Sequence, residues 1–165
     1  MALKCNLEQT ILVINHFLCQ HNLNFEQILG HFLLTLLLVP LLRKSSKARV
    51  VNVSSIGHML GKIHFENINL RNGAYTPTKA YGQSKLANIL FTREMARRLG
   101  PNSNINTYSL HPGVVNSELS RHVPFQKLNN IIMKLLYITV EMGAQTTLYC
   151  ALEESLDNET GLYYE

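Results

Sequence analysis

Ala48-Arg49-Val50-Val51-Asn52-Val53-Ser54-Ser55 is the stretch from which the fold is read. Its apolar residues are mostly β-branched and alternate little, the pattern of a strand buried on both faces of a parallel sheet. Polar residues gather at its end, and open parallel sheets bind ligands beyond the carboxyl ends of their strands. Ser54 and Ser55 therefore stand where chemistry is expected. Residues 57–80 follow as an irregular connection with Asn72-Gly73 as a turn signal and Pro77 near the start of a helix. That helix is expected from Thr78 to Leu99, with Leu86, Ile89, Leu90, Met95 and Leu99 on its apolar side and Gly100-Pro101 as its stop. Ile105-Asn106-Thr107-Tyr108-Ser109-Leu110 reads as the next strand and ends in His111-Pro112-Gly113. Strand, helix and strand make a βαβ unit, right-handed by default.

Tyr81 and Lys85 lie four apart on the expected helix, one above the other. A phenol ordinarily titrates near 10, too high for a base at neutral pH, and a cation beneath the ring favours the phenolate. Ser55 then supplies a hydroxyl to orient a substrate oxygen. Together the three can move a proton on and off an alcohol oxygen while another group takes the hydride. Tyr-x-x-x-Lys alone is a weak signal; its place between a serine-ended strand and a second strand gives it weight.

Composition fits a globular chain: 46% of the 165 residues are hydrophobic, 16% are charged, and the formal charge is +4. Arg93, Arg97 and Arg98 read as the solvent face of a helix, and Arg43, Lys44, Lys47 and Arg49 as a basic loop. No aromatic residues interleave with them, so nucleic acid is not expected as a partner. Cys5, Cys19 and Cys150 are scattered, as reduced thiols are, and the seven histidines share no metal-ligand spacing. His111 reads as a strand-end structural residue and His58 as a loop residue near the site. The apolar run from Ile28 to Leu42 is too short to cross a bilayer and reads as a helix buried on all sides. Residues 118–140 are apolar enough for a lipophilic substrate, a membrane surface or plain core packing. Gly143 to Leu156 reads as an amphipathic helix.

Asn52-Val53-Ser54-Ser55, Tyr81-x-x-x-Lys85 and Pro112-Gly113-Val114-Val115-Asn116-Ser117 resemble the successive signatures of the short-chain dehydrogenase/reductases. Leu29-Gly30-His31-Phe32-Leu33-Leu34-Thr35, Ser84 to Thr92, His111 to Val115 and Gly143-Ala144-Gln145-Thr146 narrow the resemblance to the retinol dehydrogenase 11 to 14 group. It covers roughly residues 28–165 and leaves 1–27 divergent. The resemblance implies an α/β fold, a partial Rossmann-like doubly wound parallel sheet forming a single domain over 1–165. It implies Tyr81 as catalytic acid/base, Lys85 as the group that lowers its pKa and binds ribose, and Ser55 as the carbonyl-orienting hydroxyl. Ser54 is left as a strand-end hydrogen bonder. Tyr81, Lys85, Pro112, Gly113, Val115 and Ser117 are the implied cofactor-binding residues, with Ser117 near the nicotinamide amide.

NADP(H) is the implied cofactor, and a lipophilic alcohol or aldehyde the implied substrate. The helices at 28–42 and 78–99 are the implied homo- or hetero-dimer contact. Such proteins are usually associated with the endoplasmic reticulum membrane, while Met1 to Gln20 reads as neither signal peptide nor anchor. The family's Gly-x-x-x-Gly-x-Gly phosphate turn does not occur in this sequence, whose nine glycines are dispersed. Thr10 to Asn15 resembles the strand before the adenine-side turn, which here reads Asn15-His16-Phe17-Leu18 without its glycine. Gln27 stands where the family places a relay asparagine, so a catalytic triad is expected in place of a tetrad. Gly161 to Glu165 is expected to enter the last strand as the sequence stops. The expectation is a truncated member, an oxidoreductase impaired by the loss, or a shortened non-catalytic form that pairs with full-length relatives, or an unstable by-product with an open sheet edge.

Overall fold

The computed structural model describes residues 9–14, 25–115 and 138–165. Four strands form one all-parallel sheet in chain order: β1 (Gln9–Ile14), β2 (Lys47–Val53), β3 (Ile105–Leu110) and β4 (Leu162–Tyr164). Gln9 pairs with Lys47, Ala48 with Ile105 and Tyr108 with Leu162. The connections carry α1 (Phe25–Leu42), α2 (Pro77–Leu99) and α3 (Val140–Leu152). The continuous apolar character of β2 has the expected cause, because alternate residues enter two different cores. Ala48 and Val50 pack with Leu12, Ile105, Leu42 and Met95 beneath α1 and α2, while Val51 and Val53 pack with Tyr108, Leu110, Cys150 and Leu156 on the α3 side.

Helix α2 starts one residue earlier than expected because Pro77 occupies the first helical position, where its missing N–H costs nothing. The Thr76 hydroxyl accepts from the Lys79 amide and caps the helix, and Gly100, at φ +78°, ends it. Helix α3 stops at Leu152, short of Leu156, and a 3-10 turn over Glu154–Asn158 completes that segment. Between β2 and α2 lie two further 3-10 turns, Ile56–Leu60 and Phe65–Asn67. Asn72 and Gly73 both take positive φ at the turn their sequence announces.

Three expectations are corrected. Lys47 and Arg49 lie on β2 and not in a solvated loop. Arg49 is fully buried: its guanidinium donates to the carbonyls of Cys150 (3.1 Å) and Glu153 (2.7 Å) and pairs with Asp157, which also pairs with Lys47. These bonds, from Lys47 first and Arg49 next, hold the Asp157 carboxyl below the usual carboxylate range. Second, α1 is not buried all round. Thr35 and Leu42 face inward, but Leu29, Leu33, Leu36 and Leu37 are exposed, Leu37 at 68%. Third, the side of α2 that meets the sheet is polar over most of its length: Gln83, Ser84, Lys85, Asn88 and Thr92 are buried, whereas Leu90 is 43% exposed.

Arg93, Arg97 and Arg98 do form a solvent face, the last two paired with Glu94. Among the described residues no helix is long and apolar enough to cross a membrane. The buried Cys150 is a free thiol, which burial pushes up to about 11. Cys5 and Cys19 lie outside the described residues.

Candidate active site

The polar stripe of α2 is what positions the site. Asn52 donates to the Thr92 hydroxyl (2.8 Å), Thr92 to the Asn88 carbonyl (2.9 Å), and the Thr107 hydroxyl to the Thr92 carbonyl (3.0 Å). Ser54, expected to be a strand-end hydrogen bonder, donates to the Lys85 carbonyl at 2.8 Å. Every one of these buried polar groups thus has a partner, and together they fix the helix on the strand ends in one register. Lys85 and Asn88 converge on the Val53 carbonyl, each at 3.2 Å.

Close backbone contact does the rest. A Cβ on Gly61 would lie 2.3 Å from the Gly82 carbonyl oxygen, and one on Gly57 would lie 2.7 Å from Cε1 of the Tyr81 ring. Only residues without side chains let the first 3-10 turn lie flat on α2, and this brings Tyr81 to Ser55. Gln83 ties the second turn down, accepting from the His64 amide (3.0 Å) and donating to the Ile68 carbonyl (2.8 Å). Sequence reading passed over these groups. The Gly57-x-x-x-Gly61 spacing and the residue between Gly82 and Ser84 were the available signals.

The structure brings Ser55, Tyr81 and Lys85 together. Ser55 sits in extended backbone (φ −164°) as the cap of the first turn, and its hydroxyl oxygen accepts from the Gly57 amide at 3.1 Å. The Lys85 ammonium lies 5.7 Å from the Tyr81 ring centroid. The electrostatics differ from expectation. Burial raises the Tyr81 phenol above its ordinary value, with the Ser55 hydroxyl pulling the other way. Burial also brings Lys85 itself down to about 8, so desolvation outweighs the phenolate-favouring effect foreseen from the spacing. His31 of α1 is held below its ordinary value by burial and by the Lys85 charge.

His111 continues the β3–β4 ladder, its amide donating to the Tyr164 carbonyl at 2.9 Å, as suits a strand-end residue. Its Nδ1 is buried without a partner among the described residues, and burial lowers the ring's pKa. Pro112, Gly113 and Val115 follow directly. Gly113 has φ +81°, and a Cβ there would meet Ile138 at 2.4 Å, while Val115 forms a parallel bridge with Ile138. Ser117, the Asn15 to Leu18 turn and nearly all of 118–140 lie outside the described residues. Among the described residues no group of three or more His, Cys, Asp and Glu could hold a metal.

The sequence profile described as short chain dehydrogenase matches residues 22–127. Human retinol dehydrogenase 11 is 49% identical over 136 residues, and human retinol dehydrogenase 12 is 48% identical over 136; each alignment covers 82% of this chain and 42% of the relative. The chain therefore spans less than half the length of these relatives. Among solved structures, a 3-ketoacyl-(acyl-carrier-protein) reductase from Brucella melitensis complexed with NADH superposes with a TM-score of 0.62 at 15% identity, covering 95% of this chain and 64% of that one. A four-stranded parallel sheet with Ser55, Tyr81 and Lys85 gathered at its strand ends, and a family profile matched over residues 22–127, which include those three, lead to one conclusion: this chain belongs to the short-chain dehydrogenase family.

Proposed function

We propose that the site serves an alcohol–carbonyl oxidoreductase using NADP(H), with a lipophilic substrate of the retinol or retinal kind. The grouping of Ser55, Tyr81 and Lys85 carries the reading. Ser55 accepts from Gly57, and its own O–H, which faces Tyr81, is the donor offered to a substrate oxygen placed between the two. Tyr81 gives a proton to that oxygen as a carbonyl is reduced and takes it back as an alcohol is oxidised. Among the described residues the Lys85 ammonium has one bond, to the Val53 carbonyl, and further N–H donors left over, a set suited to the hydroxyls of a ribose. Bound there, a nicotinamide nucleotide supplies or accepts the hydride.

Support for a nicotinamide nucleotide comes from the family profile and from the NADH complex of the Brucella reductase, and support for a retinoid from the relatives' names. The choice of NADP(H), and Pro112, Gly113, Val115 and Ser117 as its contacts, rest on the resemblance of the sequence signatures. Titrating the purified chain with NADPH while following cofactor fluorescence is expected to give saturable binding. A flat response up to millimolar NADPH would remove this reading for the chain alone.

The exposed side of α1 favours a second reading, in which the chain pairs with a second copy or a full-length relative through α1 and α2. Leu33 is 56% and Leu37 68% exposed, whereas Phe32 meets Phe91 within the chain at 5.0 Å. Leu33→Asp and Leu37→Asp therefore probe pairing without cutting the α1–α2 contact. Co-expression with a full-length relative is expected to give a mixed dimer by size exclusion that either substitution abolishes; separate elution of the unmodified chains counts decisively against pairing.

A further inference from the structure

Ser55 is held by more than its own cap. Its carbonyl accepts twice from His58, from the backbone amide at 3.0 Å and from ring Nδ1 at 2.8 Å. A carbonyl oxygen only accepts, so Nδ1 carries the proton and Nε2 is the ring's other position. The imidazole is in turn set by β4: the Tyr163 ring meets it edge-on, centroids 5.0 Å apart at 65°. His58 lies three residues after Ser55, on a turn that Gly61 and Gly82 press against α2. The ring is thus braced on one side by the last strand and bonded on the other to the backbone of the serine.

We propose that His58 is a positioning residue for Ser55, its Nδ1–H bond to the Ser55 carbonyl fixing the serine so that the hydroxyl stays on the Gly57 amide and faces Tyr81. The proposal rests on the proton-transfer reading for the meaning of Ser55, but not for its test. With the backbone amide of His58 as its remaining donor, the Ser55 carbonyl is held less firmly, and a rotation of the peptide between β2 and the 3-10 turn swings Oγ away from both Gly57 and Tyr81. The Tyr163 ring is what ties this control to the far edge of the sheet.

The test is made on the purified full chain by NMR, without cofactor or turnover. His58→Phe keeps a ring against Tyr163 and removes the donor, and His58→Asn restores an N–H near the place of Nδ1. The exchange rate of the Gly57 amide, which is bonded to Ser55 Oγ, is expected to rise about threefold to tenfold in His58→Phe and to return toward the parent rate in His58→Asn. In the same variants the Tyr81 ring, followed through its 13Cζ resonance, is expected to titrate higher in His58→Phe than in the parent, the direction expected also of Ser55→Ala. Unchanged Gly57 exchange in a His58→Phe chain whose other amide resonances keep their positions overturns the proposal, as does faster exchange that His58→Asn fails to reverse. Faster Gly57 exchange with a stationary Tyr81 upholds the positioning of Ser55 and instead removes the Ser55–Tyr81 contact from the proposed function.

Discussion

An Arg49→Met chain is expected to lose about 3 to 5 kcal/mol of stability, the range for removing one partner of a buried charge network. The magnitude follows from what the guanidinium leaves behind. The carbonyls of Cys150 and Glu153, at the end of α3, lose their donor inside the protein, and each unsatisfied buried acceptor costs about 1 to 3 kcal/mol. The guanidinium also lies 5.7 Å from the centroid of the Tyr108 ring, a contact that methionine replaces only in part. Asp157 remains with Lys47 at a partly exposed position, so Asp157→Asn should be much milder, about 1 kcal/mol or less. Urea unfolding followed by circular dichroism checks both. A loss below about 1 kcal/mol for Arg49→Met would mean that the α3 carbonyls find other donors.

Lys85→Met is expected to act in the opposite direction: the variant should be more stable than the parent at pH 7 by about 1 to 3 kcal/mol, although it loses the proposed chemistry. Burial lowers the Lys85 pKa in the folded chain to about 8, against 10.5 for the free side chain. Below pH 8 both states carry the proton and the folded state bears the full cost of a desolvated ammonium. Between about pH 8 and 10.5 the unfolded chain binds more protons than the folded one, so stability contributed at this position rises with pH, by up to about 3 kcal/mol. The advantage of Lys85→Met must therefore shrink across that window. Cys150 and the tyrosines titrate nearby with the reverse sign, and they cancel when variant is subtracted from parent at each pH. Denaturation at pH 7 and pH 10 reads the difference. A variant less stable than the parent by the same amount at both pH values would show that Lys85 is not a buried cation.

Both residues show where sequence reading stops. The strand from Ala48 to Ser54 was legible because β-branched continuity is a local property, and so was the Ser55, Tyr81 and Lys85 set, because helical period puts residues four apart on one side. The burial of Arg49 was not legible, since the carbonyls and carboxylate that accept its protons arrive about a hundred residues later. A charge read without its partners looks like surface. The same limit applies to α2. Lys85, Asn88 and Thr92 look like a wet face by composition, yet they meet Val53, Asn52 and Thr107, whose polar atoms make that face the inner one. For α1 the error ran the other way: an all-apolar run implies burial, but the described elements cover only the side carrying Thr35 and Leu42. Gly57 and Gly61 looked like scattered glycines because their reasons, the Tyr81 ring and the backbone of Gly82, lie on another element.

The strict chain order of the parallel sheet has a consequence in time. No strand finds its partner through a hairpin; each pairing, as in Ala48 with Ile105 and Tyr108 with Leu162, must wait for a whole crossover to be made and closed. Such distant closures make for slow folding. During synthesis β4 leaves the ribosome after β1, β2 and β3, and with it comes the Tyr163 ring that braces His58 beneath Ser55. The serine acquires this support only when a residue about a hundred positions further along the chain has been added.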